Sequence, residues 1–279
     1  MWQYKILASG FFHADGGAMF GAIPKRAWSR KYPSSDDNTC VLAMNCLLVW
    51  NGSRVMVLDT GVGSRELGKL SYYRFHHLRD MVALVRAEGF EPEEVTDVVL
   101  SHLHFDHCGG CTRCDAEDAI QITFPKARHW VAQRQWENYL HPNDMEKESF
   151  RPDDLLPVFA AGLLQPVTDD DYEIAPGFQL SVYDGHTEGQ LVSSFETEAG
   201  TGIFAGDVIP TRAHLPDNWI SAYDTHPLDS LAAKIRLKKN RTGKPSQLFL
   251  YHDAYDLSIA INEERRVGVR RPTLRSFVL

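Results

Sequence analysis

Residues 98–110, VVLSHLHFDHCGG, hold His102, His104, Asp106 and His107 close together. Three imidazoles and a carboxylate are the donors that borderline divalent cations such as zinc prefer. Burying four such groups behind an apolar run would be costly without a compensating charge, so a solvated loop is a poor account of them. Residues 98–100 read as a buried strand that stops at the cluster, and Gly109-Gly110 read as the turn after it. This is the pattern of a metal site.

Other strand ends repeat the arrangement. His186 closes the run that begins at Phe178, Asp207 follows Ile203-Phe204-Ala205, and His252-Asp253 follow the apolar stretch 247–251. Strand ends that each deliver ligand-type side chains imply one site assembled from the whole chain, with no domain boundary between its parts. Asp59 ends the strand 54–59 in LDTGVGS. It reads either as an ordinary turn residue or as a carboxylate that fixes the outer nitrogen of a ligating imidazole.

The elements that must carry these groups can be placed from pattern. A first strand covers 4–9. The stretch 10–38 is irregular, and Met19, Phe20, Ile23, Trp28 and Tyr32 make it too apolar for disorder, so it packs as core edge or as a pocket wall. Strands 40–50 and 54–59 form a hairpin through Asn51-Gly52. A helix is expected over 78–88, with His76 and His77 before it at the surface. Strands follow at 120–124 and 128–131, then a helix from Gln133. Residues 141–164 read as a helical insertion of unassigned role. A helix over 227–239 precedes the last strand that carries a ligand. Cys108, Cys111 and Cys114 lack a complete cluster signature and read as free thiols.

Composition narrows the class. The chain has 279 residues, 43% apolar and 24% charged, which allows one large α/β domain or two small ones with a sizeable core. The recurrence of ligands at strand ends makes one domain over 1–279 the expectation. A net charge of −8 argues against non-specific nucleic-acid binding. No apolar run is long enough for a membrane span, and no secretion signal is evident. Five cysteines, an odd number, fit a reducing compartment, so the cytoplasm is expected.

The ordered set His102-x-His104-x-Asp106-His107, then Gly-His-Thr at His186, Gly-Asp at Asp207 and finally His252, resembles the metallo-β-lactamase superfamily across essentially the whole chain. That resemblance implies an α/β (α+β) architecture, the four-layer αββα sandwich, with the site at one edge. It also implies two divalent metal ions: His102, His104 and His186 for one, Asp106, His107 and His252 for the other, and Asp207 bridging. Zinc is the default, and Mn, Fe, Co or Ni suit the same donors. DGGAMFGAIPKRAW at 15–28 and GDVIPTRAHLPDNWISAYDTHP at 206–227 resemble quorum-quenching N-acyl-homoserine lactonases. The best-known of these carry a Tyr three residues after the bridging Asp, where this chain has Pro210.

The expected reaction is therefore the opening of a lactone ring by a hydroxide shared between two cations about 3.5–4 Å apart. Asp106 is placed to pass the proton to the leaving oxygen. Met19, Phe20, Trp28 and Trp219 are expected to wall an acyl chain, and His214 or Tyr223 to assist the carbonyl. Small lactones or esters are the expected partners, and the superfamily makes a homodimer an expectation. A phosphotriesterase of the methyl-parathion-hydrolase kind, or an aryl-ester or thioester hydrolase, would use the same site. A glyoxalase-type thioesterase would need basic residues to grip its thiol cofactor, and a nuclease a basic surface; neither is evident. A non-catalytic metal-binding scaffold should have lost a ligand, and none is lost.

Overall fold

The computed structural model describes residues 1–65, 67–239, 245–261 and, for backbone only, 268–270. The chain opens with β1 (Gln3–Asp15), α1 (Gly16–Phe20), α2 (Lys25–Trp28), β2 (Thr39–Trp50), β3 (Val55–Leu58), α3 (Met81–Ala87) and β4 (Asp97–Val99). The short α4 (Phe105–Cys108) leads into the ribbon β5 (Thr112–Cys114) and β6 (Ile120–Ile122). β7 (Arg128–Ala132), α5 (Gln133–Leu140), α6 (Pro152–Ala160) and β8 (Leu164–Val167) follow. β9 (Tyr172–Ala175), β10 (Phe178–Tyr183), β11 (Gln190–Thr197), β12 (Gly200–Phe204), α7 (Pro227–Lys239), β13 (Ser246–Phe249), β14 (Asp256–Ile261) and β15 (Gly268–Arg270) complete it.

Two mixed sheets result, in the orders β1-β2-β3-β4-β7-β8 and β15-β14-β13-β12-β11-β10-β9, and they form the αββα sandwich. Strands buried on both faces are continuously apolar, as Leu47, Leu48 and Val49 of β2 show, because sheet meets sheet on one side and helix covers the other. The face of the first sheet that bears Tyr4, Leu47, Val49 and Leu58 meets the second sheet, where Tyr4 packs on Phe195 and Phe249. One apolar cluster joins Leu47, Val49 and Leu58 to Phe178, Phe195 and Phe249. A second cluster forms where Ala233 and Leu237 of α7 cover Ile203, Leu248 and Ile259.

Three expectations shift. The first strand runs on to Asp15, with a register change between Ala8 and Gly10, and the supposedly irregular stretch then folds into α1 and α2. Asp15 starts α1 by accepting from the Ala18 amide at 2.9 Å, a cap the apolar pattern did not reveal. The helix expected over 78–88 begins only at Met81, because the Asp80 side chain accepts from the Ala83 amide at 3.0 Å and caps it there. His77 is exposed as expected, but His76 is half-buried, in a backbone bridge with Phe11 and stacked on its ring.

A buried ion pair ties the layers together. Asp97 opens β4 fully buried and accepts from Arg54 at 2.8 and 2.5 Å, from Thr96 Oγ1 at 2.6 Å and from Trp130 Nε1 at 2.8 Å. The same guanidinium donates to the Ile174 carbonyl of the second sheet at 2.8 Å. Burial would raise the Asp97 pKa, but the Arg54, Thr96 and Trp130 donors outweigh it and hold the carboxyl below its usual range. Asp97→Asn should therefore cost about 1–3 kcal/mol at neutral pH, by leaving the partly buried Arg54 without its charged partner. Because the folded-state pKa is depressed, this contribution is complete above the usual carboxylate range and lost as pH falls through the depressed value. Denaturant unfolding of both proteins at pH 7 and near pH 3 should show the gap narrow; a constant gap would mean that packing, not charge, is lost.

Candidate metal centre

Strand direction brings the functional groups to one edge. β3 and β4 are parallel, so Asp59 and the 101–107 segment leave the first sheet on the same side. In the second sheet β12 and β13 are parallel, and β10 shares their direction because β11 is antiparallel to both β10 and β12. His186, Asp207 and His252 therefore follow three co-directional strands. The two edges are bonded together: Asn45 Nδ2 donates to the Leu250 and Asp253 carbonyls at 2.8 and 2.9 Å, and the Ala43 amide to the His252 carbonyl at 3.1 Å.

Gly109 and Gly110 serve a different purpose from the turn expected of them. Gly109 has ordinary right-handed backbone angles. What requires glycine is contact: a Cβ on Gly109 would lie 2.3 Å from the Val62 carbonyl oxygen, and one on Gly110 would lie 2.2 Å from that of Thr60. The loop after β3 is thereby pressed against α4, which carries Asp106 and His107.

Seven side chains converge. The inward nitrogens His102 Nε2 and His186 Nε2 lie 3.0 and 3.1 Å from His104 Nδ1, and His107 Nε2 lies 3.2 Å from His252 Nε2. Asp207 sits between the groups, its Oδ2 3.4 Å from His186 Nε2 and its Oδ1 3.3 and 3.6 Å from the Nε2 atoms of His252 and His107. Asp106 Oδ2 lies 3.5 Å from His252 Nε2. The donor atoms of His102, His104 and His186, of Asp106, His107 and His252, and of His102, His107 and Asp207 each fall within a 4.8 Å group.

The outward nitrogens decide what the inward ones can do. His107 Nδ1 faces Asp59 Oδ2 at 2.8 Å, His186 Nδ1 faces Asp224 Oδ1 at 2.9 Å, and His104 Nε2 faces Glu146 Oε1 at 2.9 Å. His252 Nδ1 faces the Ala43 carbonyl at 2.9 Å. His102 Nδ1 faces Ser101 Oγ at 3.1 Å, and that hydroxyl gives its own proton to Asp59 Oδ2 at 2.7 Å. Each outer partner is an acceptor, so each ring donates outward and turns a lone pair inward. With every ring neutral, those lone pairs about 3 Å apart would repel unless a cation, proton or metal, lay among them. Asp207 Oδ1 is moreover buried without a hydrogen-bond donor among the described residues. The donor set fits divalent cations.

Electrostatics agree. Burial, reinforced by neighbouring imidazoles, pushes His102 and His107 well below the usual histidine range, so both are neutral. Burial also acts to lower His186 and His252, but Asp207, joined by Asp224 and Glu146 at His186 and by Asp106 and the Ala43 carbonyl at His252, outweighs it and raises both to about 9. Burial likewise opposes ionisation of Asp207, yet His252, His107 and His186 hold it far below its usual range. Asp106 is raised, chiefly by burial.

The centre floors a cleft with apolar walls. Phe12, Met19, Leu42, Tyr73, Phe105, Met145, Pro210 and Tyr223 line it above His104, Asp106, His186, Asp207 and His252. Met19 and Tyr223 are both among the lining residues. Phe20, Trp28 and His214 are not on the wall: each is about 1% exposed, with Phe20 stacked between the other two at centroid distances of 4.9 and 4.8 Å. His214 has both nitrogens engaged, by Thr211 Oγ1 at 2.8 Å and the Met19 carbonyl at 2.9 Å, so it cannot assist a carbonyl in the cleft. Trp219 lies off the lining with Lys31 over its ring. The aromatic residues of both motifs were read as wall because apolarity alone does not separate a lining from the layer behind it. Phe20→Ala should cost about 3 kcal/mol in denaturant unfolding, as a core truncation does. A loss below about 1 kcal/mol would mean that the ring is not packed as described.

Several participants escaped the sequence reading. Glu146 lies in the insertion, and no residue pattern marks it. Asp224 stands within the quoted 206–227 motif but was passed over. Tyr251 donates to the Asp106 carbonyl at 2.5 Å and stacks on His107 at 4.0 Å, yet it reads as an ordinary strand residue. All five cysteines are free, with Cys108 and Cys111 buried and Cys114 exposed, and none joins a metal-type cluster among the described residues.

A sandwich of two mixed sheets with a His/Asp centre at one edge defines a class of metal-site hydrolase folds. Within it, the chain belongs to the metallo-β-lactamase superfamily, whose profile matches residues 41–252. It is 27% identical over 175 residues to the N-acyl homoserine lactonase of Bacillus thuringiensis, covering 62% of each chain. It is 29% identical over 180 residues to the N-acyl homoserine lactonase AttM of Azorhizobium caulinodans, covering 62% of this chain and 63% of that one. The match thus spans less than two thirds of these relatives' length. A solved probable metal-dependent hydrolase from Staphylococcus aureus superposes with TM-score 0.87 at 24% identity, covering 98% of both chains. The dizinc quorum-quenching lactonase AidC superposes with TM-score 0.73 at 18% identity, covering 98% of this chain and 95% of that one. Among the described residues, no helix is long and apolar enough to cross a membrane.

Proposed function

We propose that this chain is a binuclear metal-dependent hydrolase that opens a lactone ring, with N-acyl-homoserine lactones as its substrate class. The observation that carries the reading is the character of the cleft: a floor of imidazoles and carboxylates under apolar walls, with no Lys or Arg among the lining residues. A substrate with an anionic group would find no cation on those walls. A neutral ring bearing an apolar chain would meet Met19, Leu42, Phe105 and Met145. The names of the curated relatives point the same way.

His102, His104 and His186 would hold one cation, Asp106, His107 and His252 the other, and Asp207 would reach both. Zinc is the first expectation. When bound, such ions would supply a nucleophile from water at neutral pH and stabilise charge on the ester oxygens. Water adds to the ring carbonyl carbon, the ring C–O bond breaks, and the leaving oxygen takes a proton. Asp106 is the group to carry that proton, since burial raises its pKa and Oδ2 faces the floor of the cleft. Where the best-known lactonases place a Tyr, Pro210 lines the cleft without a hydroxyl. The Tyr223 phenol, pushed up by burial and so kept protonated, also lines the cleft and is the hydroxyl assigned to this role. A neutral phosphotriester would meet the same uncharged walls, and this keeps phosphotriester hydrolysis as the second reading.

The test is a panel on metal-replete protein: an N-acyl-homoserine lactone, a plain γ-lactone, an aryl ester and a phosphotriester, with metal per chain measured on the same sample. The acyl-homoserine lactone should give the highest kcat/KM with two metals bound. A higher kcat/KM for the phosphotriester or aryl ester would overturn the substrate assignment and leave the centre standing.

A further inference from the structure

Glu146 belongs to the 141–150 stretch between α5 and α6, away from every strand end that builds the centre. The Asn143 side chain fixes the turn that presents it, accepting from the amides of Met145 and Glu146 at 2.9 and 3.1 Å. The carboxylate is about 2% exposed and has no Lys or Arg partner among the described residues. All its donors are neutral or imidazole groups. His104 Nε2 lies 2.9 Å from Oε1, which also accepts from Thr187 Oγ1. Asn138 Nδ2 and Asn143 Nδ2 donate to Oε2 at 2.9 and 3.2 Å. Such a buried anion is costly unless positive charge lies close by, and the hydrogen bond to His104 ties it to the centre.

We infer that Glu146 is a positioning residue of the metal centre: by accepting from His104 Nε2 it fixes the tautomer and ring rotation that turn His104 Nδ1 inward. The inference rests on the proposed metal centre and not on the identity of the substrate. His104 is the only one of the five imidazoles that faces the centre through Nδ1. A neutral imidazole in water can carry its proton on either nitrogen, and a His104 protonated at Nδ1 would present a donor where a lone pair is required. Thr187 joins this network directly after His186, so one carboxylate braces His104 and the chain beside His186. Asn138 and Thr187 are themselves bonded at 3.2 Å. Met145 and Ser149, on either side of Glu146, line the cleft. The insertion therefore sets the ligand geometry and the pocket wall with the same few residues.

The experiment compares wild type, Glu146→Ala and Glu146→Gln without using substrate. Zinc affinity is measured by chelator competition, the His104 tautomer by ¹⁵N NMR of the zinc-free proteins, and folding by the thermal midpoint of the same samples. In Glu146→Ala, zinc affinity should fall about 10- to 100-fold, the usual effect of losing an outer partner of a ligand. Its His104 signal should change from a single Nε2–H tautomer to a mixture. Glu146→Gln keeps an acceptor oxygen and should recover the tautomer and most of the affinity. If Glu146→Ala does not fold, Glu146→Met keeps the volume, removes the acceptor and should show the same two losses. Unchanged affinity with a single Nε2–H tautomer in the acceptor-free variant would overturn the inference, as would equal loss in the Gln variant. A wild-type protein that hydrolyses no lactone would defeat the proposed substrate without touching these readouts.

Discussion

Asp207→Ala should lower the metal content from two per chain to one or fewer and reduce hydrolysis at least about a thousandfold. Asp207 is the one carboxylate placed between the two imidazole groups, with one oxygen toward His186 and the other toward His252 and His107. Its charge is also the largest of those that raise His186 and His252 to about 9 in the metal-free site against the effect of burial. Below that pH both rings hold a proton that a metal must displace. Metal uptake at pH 7 should therefore release up to about two protons, and apparent affinity should rise with pH until it flattens above about 9. Titration calorimetry in buffers of different ionisation enthalpy reads this directly. In Asp207→Ala the largest raising charge is gone, Asp224 and Glu146 still act on His186 and Asp106 on His252, and the proton release should fall below that of wild type. Two tightly bound metals and full activity in that variant would sink the binuclear centre.

Asp106→Asn should behave differently. The amide keeps an oxygen to face the centre but cannot relay a proton, so metal content should stay near wild type while kcat falls about 10²- to 10⁴-fold. The kcat loss should shrink for lactones or esters whose leaving oxygen is a weaker base, because that oxygen needs less protonation. KM should change little, since Asp106 lies on the floor and the apolar body of the substrate meets the walls. Activity within about threefold of wild type at full metal content would remove Asp106 from proton transfer and leave it a ligand only.

These predictions differ in how far the sequence alone could have made them. The inward-facing groups were legible because ligands must be His or Asp and because strand ends in an α/β sandwich are marked by an apolar run that stops. His102, His186, Asp207 and His252 each follow such a run, so both identity and place could be read. Asp59 was legible only as one of two options. The structure gives it both His107 and Ser101 to hold, at 2.8 and 2.7 Å.

The sequence by itself carried the candidate donors and the order in which strand ends deliver them, since these follow from residue type and from where apolar runs stop. The αββα fold and the division of the donors between two ions were what the family resemblance implied. Tertiary structure decided which side chains back the donors and which aromatics meet the cleft. Glu146 lies 42 positions from His104 and Asp224 lies 38 from His186, and no local pattern records an approach made by packing two distant segments together. Phe20 and Met19 are neighbours of equal apolarity, yet one is sealed between Trp28 and His214 while the other lines the cleft. The short α1 sends adjacent side chains in different directions, and what each then meets depends on the 206–226 loop folding back over it.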